Sequence, residues 1–160
     1  MSEDLLGIYL NDHLAGSVVG HELVKRTHAS NEGTPLGDFL NLLAEEIEED
    51  RRALTDVMDR LGVRRNPAKQ AGGWVVEKLG RLKPNGRLLG YSDLSRVLEL
   101  EGLTIGITGK LALWRNLQAL AQVDERLATA PIEEVIRRSE RQLRDLQEYR
   151  VEAARTAFGD

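Results

Sequence analysis

There is no cysteine in this chain of 160 residues, and aromatic residues make up only 4% of it. This excludes a disulfide scaffold, a Cys-ligated zinc site, an iron–sulfur cluster and thiol catalysis. No apolar run approaches the roughly 18 residues that a membrane-spanning helix needs. Positive charge is not in excess either: 22 basic residues face 26 acidic ones, for a net charge of −4. Phosphate backbones call for an electropositive surface, so a general nucleic-acid binder is not expected. The pairs Arg51-Arg52, Arg64-Arg65 and Arg137-Arg138 are interleaved with Glu and Asp, as on a solvated helix surface. The acidic start Met1-Ser2-Glu3-Asp4 does not read as a signal peptide. Several catalytic patterns are missing: the Gly-x-Ser-x-Gly elbow, the His-Glu-x-x-His helix and the Gly-x-x-x-x-Gly-Lys phosphate loop. The expectation is a soluble cytoplasmic protein with a single domain, residues 1–160.

What is present is long helical patterning. The first helix is predicted from Asp4 to His28, with turn signals at Ser30-Asn31-Glu32-Gly33. The second starts at Thr34 as N-cap and Pro35 as first helical residue, and runs to Leu61 before Gly62. The third runs from Ser92 to about Gln122, and the fourth from Pro131 to Phe158. Each spans about 25 residues, or roughly 38 Å. Four helices of similar length predict an all-α bundle. Short links make the first and second, and the third and fourth, antiparallel hairpins. Between the hairpins lie Val63 to Tyr91, enough chain for a long crossover containing a short helix, Pro67 to Leu79. The segment Leu103–Gly109, with its β-branched residues and glycines, reads as a strand in isolation. It is kept helical by the periodicity around it.

Helical-wheel placement predicts the buried faces. On the first helix the stripe runs through Leu5, Tyr9, Gly16, Val19 and Leu23, with Asp12 at its centre. On the second it runs through Leu36, Leu40, Leu43, Ile47, Leu54, Val57 and Leu61, with Asp50 among them. The third presents Leu94, Val97, Leu98, Ile105 and Ala112, with Glu101, Thr108 and Arg115 on the same side. The fourth presents Ile132, Val135, Ile136, Leu143, Leu146 and Ala153, with Ser139 and Arg150. With helix directions up, down, down and up, Asp12, Asp50, Thr108 and Ser139 fall in one mid-height polar layer. A buried ion pair, Glu101–Arg150, is expected at a second level, and Arg115 near the aspartates. Buried carboxylates need pairing, protonation or a cation.

The stretches Tyr9–Gly16 (YLNDHLAG) and Tyr91–Glu101 (YSDLSRVLELE) resemble uncharacterised bacterial members of the ferritin-like superfamily. So do the paired long helices, the crossover and the inward carboxylates. The resemblance covers about residues 4–157. It implies a ferritin-like four-helix bundle, whose di-iron members carry a Glu on each of two helices and Glu-x-x-His on each of the other two. Here neither the second nor the fourth helix contains Glu-x-x-His, and all three histidines lie on the first. Only Asp12 and Asp50 can inherit ligand positions. The reading is therefore a non-catalytic protein with a degenerate di-iron site and no cofactor, acting through a homodimer or a protein partner. The alternative is a metalloprotein or oxidoreductase holding Fe or Mn on Asp12 and Asp50. A mononuclear Mg²⁺, Ca²⁺ or Mn²⁺ site and a paired-carboxylate acid/base site use the same two residues.

Other features carry weaker expectations. His13, His21 and His28 share an arc of about 80°, read as packing residues or as a weak metal or pH-sensitive contact. Trp74 and Trp114 are expected to pack the crossover on the third helix. Arg81–Arg87 reads as an exposed basic turn. The third helix is apolar around most of its circumference, so the crossover or a second subunit is expected to cover its outer side. Gly102 and Gly106 let another helix approach closely. Together with Gly16 and Gly20 they also thin the core, as in a carrier with a cavity between helices.

Overall fold

The computed structural model describes residues 2–67 and 90–159. Four helices account for most of them: α1 (Ser2–Ala29), α2 (Pro35–Arg60), α3 (Asp93–Leu120) and α4 (Ile132–Phe158). The Leu103–Gly109 segment is helical within α3. A 3₁₀ turn, Glu125–Leu127, sits in the α3–α4 link and buries Leu127. Past Pro67, the short helix expected to Leu79, with Trp74 and the Arg81–Arg87 turn, lies outside the described residues. Among the described residues no helix is long and apolar enough to cross a membrane.

Local chemistry sets the helix ends. The Thr34 hydroxyl accepts from the Gly37 N–H at 3.0 Å and caps α2, and Pro35 needs no partner for its missing N–H. α2 stops at Leu61, and Gly62 follows at φ +69°, a left-handed conformation that glycine adopts without penalty. Ser92 and Ser95 cap α3 reciprocally. Glu133 and Glu134 stand in the first turn of α4, where carboxylates complement the helix dipole. Gly37 has a different duty: a Cβ there would lie 2.2 Å from the Asn31 carbonyl oxygen, so the α1–α2 turn closes only over a glycine.

Hydrogen bonds across the bundle give the helix directions. Tyr9 of α1 meets Asn116 of α3, and Arg26 meets Glu99, so α1 and α3 are antiparallel. Glu46 of α2 meets Arg141 of α4, and Pro35 meets Tyr149, so α2 and α4 are antiparallel too. α1 and α2 form one tight hairpin, and α3 and α4 the other. α2 and α3 consequently point the same way. Two buried asparagines hold the chain at opposite ends. Asn11 donates to Arg64 O and accepts from Asn66 N–H, while Asn31 donates to Tyr91 Oη and accepts from Arg96 Nε.

The apolar core is in two parts. The lower cluster gathers Leu10, Leu14, Leu54, Met58, Trp114 and Leu117, and the upper one Leu23, Val24, Leu40, Leu43, Leu100 and Leu146. The expected stripes on α2 and α4 are buried nearly as read. Those on α1 and α3 are rotated. α1 buries Leu10, Asn11, Leu14, Val24 and Thr27, and leaves Leu5 69% exposed; α3 buries Leu100, Leu103, Ile107, Leu111, Trp114 and Leu117, and leaves Ile105 74% exposed. Both helices are apolar over a wide arc, so the wheel has no sharp maximum to locate. Trp114 accordingly faces the core at 1% exposure.

Candidate functional site

Between the two apolar clusters lies a polar layer at mid-height. α2 contributes Asp50, three residues after Ile47 of the upper cluster and four before Leu54 of the lower. α4 contributes Ser139 and Gln142, between Ile136 and Leu146. α3 contributes Lys110. Asp50, Ser139 and Gln142 are all buried, at 3%, 0% and 1% exposure.

The layer is a hydrogen-bonded network. Lys110 Nζ donates to Asp50 Oδ2 at 2.5 Å and to Gln142 Oε1 at 2.6 Å. Arg138 donates to Asp50 Oδ1 at 2.9 Å, so each carboxylate oxygen holds a cation. The network continues outward, where Gln142 Nε2 donates to Glu46, Glu46 pairs with Arg141, and Arg138 also meets Glu49 and Glu134. α2 and α4 make few close backbone contacts, and these long side chains bridge them. Ser139 instead satisfies its hydroxyl on the Val135 carbonyl of its own helix. Burial pushes the Asp50 carboxyl up, and Lys110 and Arg138 pull it partly back. Burial likewise pushes the Lys110 ammonium down, with Asp50 opposing it.

At this level α1 presents Gly16, Ser17 and Gly20 instead of bulky side chains, and α3 presents Gly106 and Gly109. A cavity of about 320 Å³, open to solvent on one side, results between α1 and α3, with Asp50, Lys110, Leu54 and Trp114 in its wall and exposed Gly16, Gly106 and Ile105 at its mouth. Its size is within the range of small-molecule sites, about 300–1,000 Å³. The glycines do not serve close packing: a Cβ at Gly16, Gly20, Gly106 or Gly109 would meet nothing within 4 Å. Only Gly102 matches the expected close approach, with Leu23 Cδ2 at 3.1 Å from a would-be Cβ.

The expected site residues separate accordingly. Asp50 and Ser139 lie in the polar layer. Asp12 is exposed, one residue beyond buried Asn11, and reaches the same cavity from its rim. Thr108 is exposed and bonds back to Thr104 O, because the buried face of α3 runs through Ile107 and Leu111. Arg115 is exposed on Glu140 of α4. Glu101 is exposed beside buried Leu100, and Arg150 is half-buried with its Nε unpartnered, so the Glu101–Arg150 pair does not form. The α1–α3 ion pair at that end is Arg26–Glu99, 3.1 Å. Lys110 joins the layer without having been expected there, and so does Arg138, expected on a solvated surface. Arg138 and Gln142 flank Ser139 on the stripe of α4 and were legible there. Lys110 was hidden by the misplaced stripe of α3.

The donor set does not fit a metal. Both Asp50 oxygens are engaged by cations, and no group of three His, Cys, Asp or Glu converges among the described residues. Two of the histidines have local contacts: His28 Nδ1 bonds the Gly37 carbonyl, and His13 stacks edge-on with Tyr9 at 4.7 Å.

Compared with known protein families, curated proteins and solved structures, the chain matches none. What its fold and site define is an all-α four-helix bundle with a charged layer and a glycine-lined cavity at mid-height.

Proposed function

We propose that this protein is a non-catalytic member of the ferritin-like class that works by binding a small apolar molecule between α1 and α3. The ferritin-like assignment is supported by the parallel course of α2 and α3 and by buried Asp50 at mid-height. The binding reading is carried by one observation, the 320 Å³ cavity walled by interior-helix glycines whose missing side chains leave open space. Glycine inside a helix costs about 0.5–1 kcal/mol relative to alanine. Repeating that cost on two facing helices, where alanine fits, is explained by a need for the space. Lys110 and Arg138 neutralise Asp50 without an ion, which supports the reading of a degenerate metal position.

Calorimetric titration with six-carbon aliphatic probes tests this reading. One molecule is expected to bind per chain, with loss of binding in Gly20→Leu and Gly106→Leu. No binding, or undiminished binding in both variants, overturns it. Retention of one or two Fe or Mn ions per chain after anaerobic loading and desalting, lost in Asp50→Asn, overturns the non-catalytic assignment.

A second reading, self-association, rests on the exposed apolar residues of α3: Leu94, Leu98 and Ile105 are 51%, 37% and 74% exposed. A homodimer through this strip is expected to dissociate in Leu98→Glu/Ile105→Glu. A wild-type monomer at every concentration in sedimentation equilibrium removes it.

A further inference from the structure

The chemistry of the cavity wall narrows the class of its occupant, and this step rests on the binding reading above. Most of the wall is aliphatic, so the body of the occupant is apolar. The polar end of the wall is Lys110. An ammonium has three N–H donors. Two of them are committed, to Asp50 and Gln142. The third has no acceptor among the described residues, although the side chain is only 16% exposed and lines the cavity. An unmet donor on a mostly desolvated ammonium is costly, and an acceptor carried in by a ligand relieves it.

The sign of that acceptor follows from the other charges on the wall. Two carboxylates, Asp12 and Asp50, face two cations, Arg51 and Lys110. Arg51 is paired with Glu48, Lys110 and Arg138 share Asp50, and Arg138 also meets Glu49 and Glu134, so each of these cations already has a carboxylate. His13, also on the wall, is half-buried, and burial pushes its pKa down against the opposing pull of Asp12, favouring the uncharged ring. An ionised head group entering this site has no counter-ion and loses its hydration. A neutral oxygen loses less and still receives the charge-assisted hydrogen bond.

We infer that the cavity takes a small aliphatic molecule bearing one uncharged hydrogen-bond acceptor, an alcohol or an ester, with its oxygen on Lys110 Nζ. Asp50 and Gln142 act as positioning residues: they hold the ammonium so that its remaining N–H is presented to the cavity.

The test compares hexan-1-ol, n-hexane, hexanoate and hexylammonium by calorimetry on the full chain. Hexan-1-ol is expected to bind about tenfold or more tightly than each of the other three, the usual weight of a hydrogen bond to a charged group. Lys110→Met removes the donor but leaves Asp50 short of one partner, so Asp50→Leu/Lys110→Met serves as the second variant. In it the preference for hexan-1-ol over n-hexane is expected to vanish while n-hexane binds as before. Tighter binding of hexanoate or hexylammonium overturns the inference, as does equal binding of hexanol and hexane to the wild type. These results leave the binding reading standing. Failure of all four probes overturns both.

Discussion

Filling the glycine-lined cavity is expected to raise stability while removing binding. The perturbation is Gly16→Ala/Gly20→Ala/Gly106→Ala/Gly109→Ala. All four residues lie inside α1 or α3, and none has a positive φ. A Cβ at each meets no atom within 4 Å, so no overpacking offsets the gain in helix propensity. At about 0.5–1 kcal/mol per position, the set is expected to add about 2–4 kcal/mol. For a chain of this size that raises Tm by roughly 5–15 °C. Residues four apart on one helix are neighbours, so modest non-additivity is expected. Gly102→Ala is the internal control: its methyl would press on Leu23 Cδ2, and its gain should be smaller than at the other four positions. The assay is urea unfolding followed by helical circular dichroism, alongside titration with hexan-1-ol. A quadruple variant that is less stable than wild type refutes the open-space argument. One that is more stable and binds the alcohol as well as wild type refutes the functional reading of the glycines.

Three further outcomes follow from the same structure. Asp50→Leu leaves buried Lys110 without its counter-ion and should cost about 3–5 kcal/mol; Asp50→Leu/Lys110→Met should recover most of the loss, and a coupling energy near zero in denaturant titrations counts against the network. Gly37→Ala forces a Cβ onto the Asn31 carbonyl and should destabilise by about 1–3 kcal/mol, the opposite sign to Gly106→Ala, as read by thermal unfolding. Burial depresses the His13 pKa below its ordinary 6.5, so the folded state binds fewer protons than the unfolded state there. Stability from this group is present above pH 6.5 and is lost as pH falls through the folded pKa. His13→Gln should flatten the stability profile over that window, and an unchanged profile removes His13 as its source.

The helix directions and two of the four polar-layer residues were legible for a simple reason. Link lengths dictate which helices form hairpins, and α2 and α4 carry a sharp division between apolar and charged faces. Asp50 and Ser139 stood on those divided helices, and both are buried in the layer. Asp12, Thr108, Glu101 and Arg115 stood on α1 and α3, and all four are exposed. On a helix apolar over most of its surface, a rotation of a single residue, about 100°, leaves the hydrophobic pattern nearly unchanged. It nevertheless exchanges Asn11 for Asp12 on α1, while on α3 an offset of two residues, about 200°, separates Lys110 from Thr108.

By itself, then, the sequence determined four helices, their ends and their pairing, because caps, prolines, glycines and link lengths act locally. It also determined that α2 brings a carboxylate, Asp50, and α4 a hydroxyl, Ser139, into the core. Which charges meet was decided only by the packing of α1 and α3, since a carboxylate's partner depends on the rotation of the helix opposite. The glycines make the same point. Their spacing is compatible with a tight helix contact or with an empty one, and only the separation of α1 from α3 at the level of Asp50 makes them the wall of a cavity.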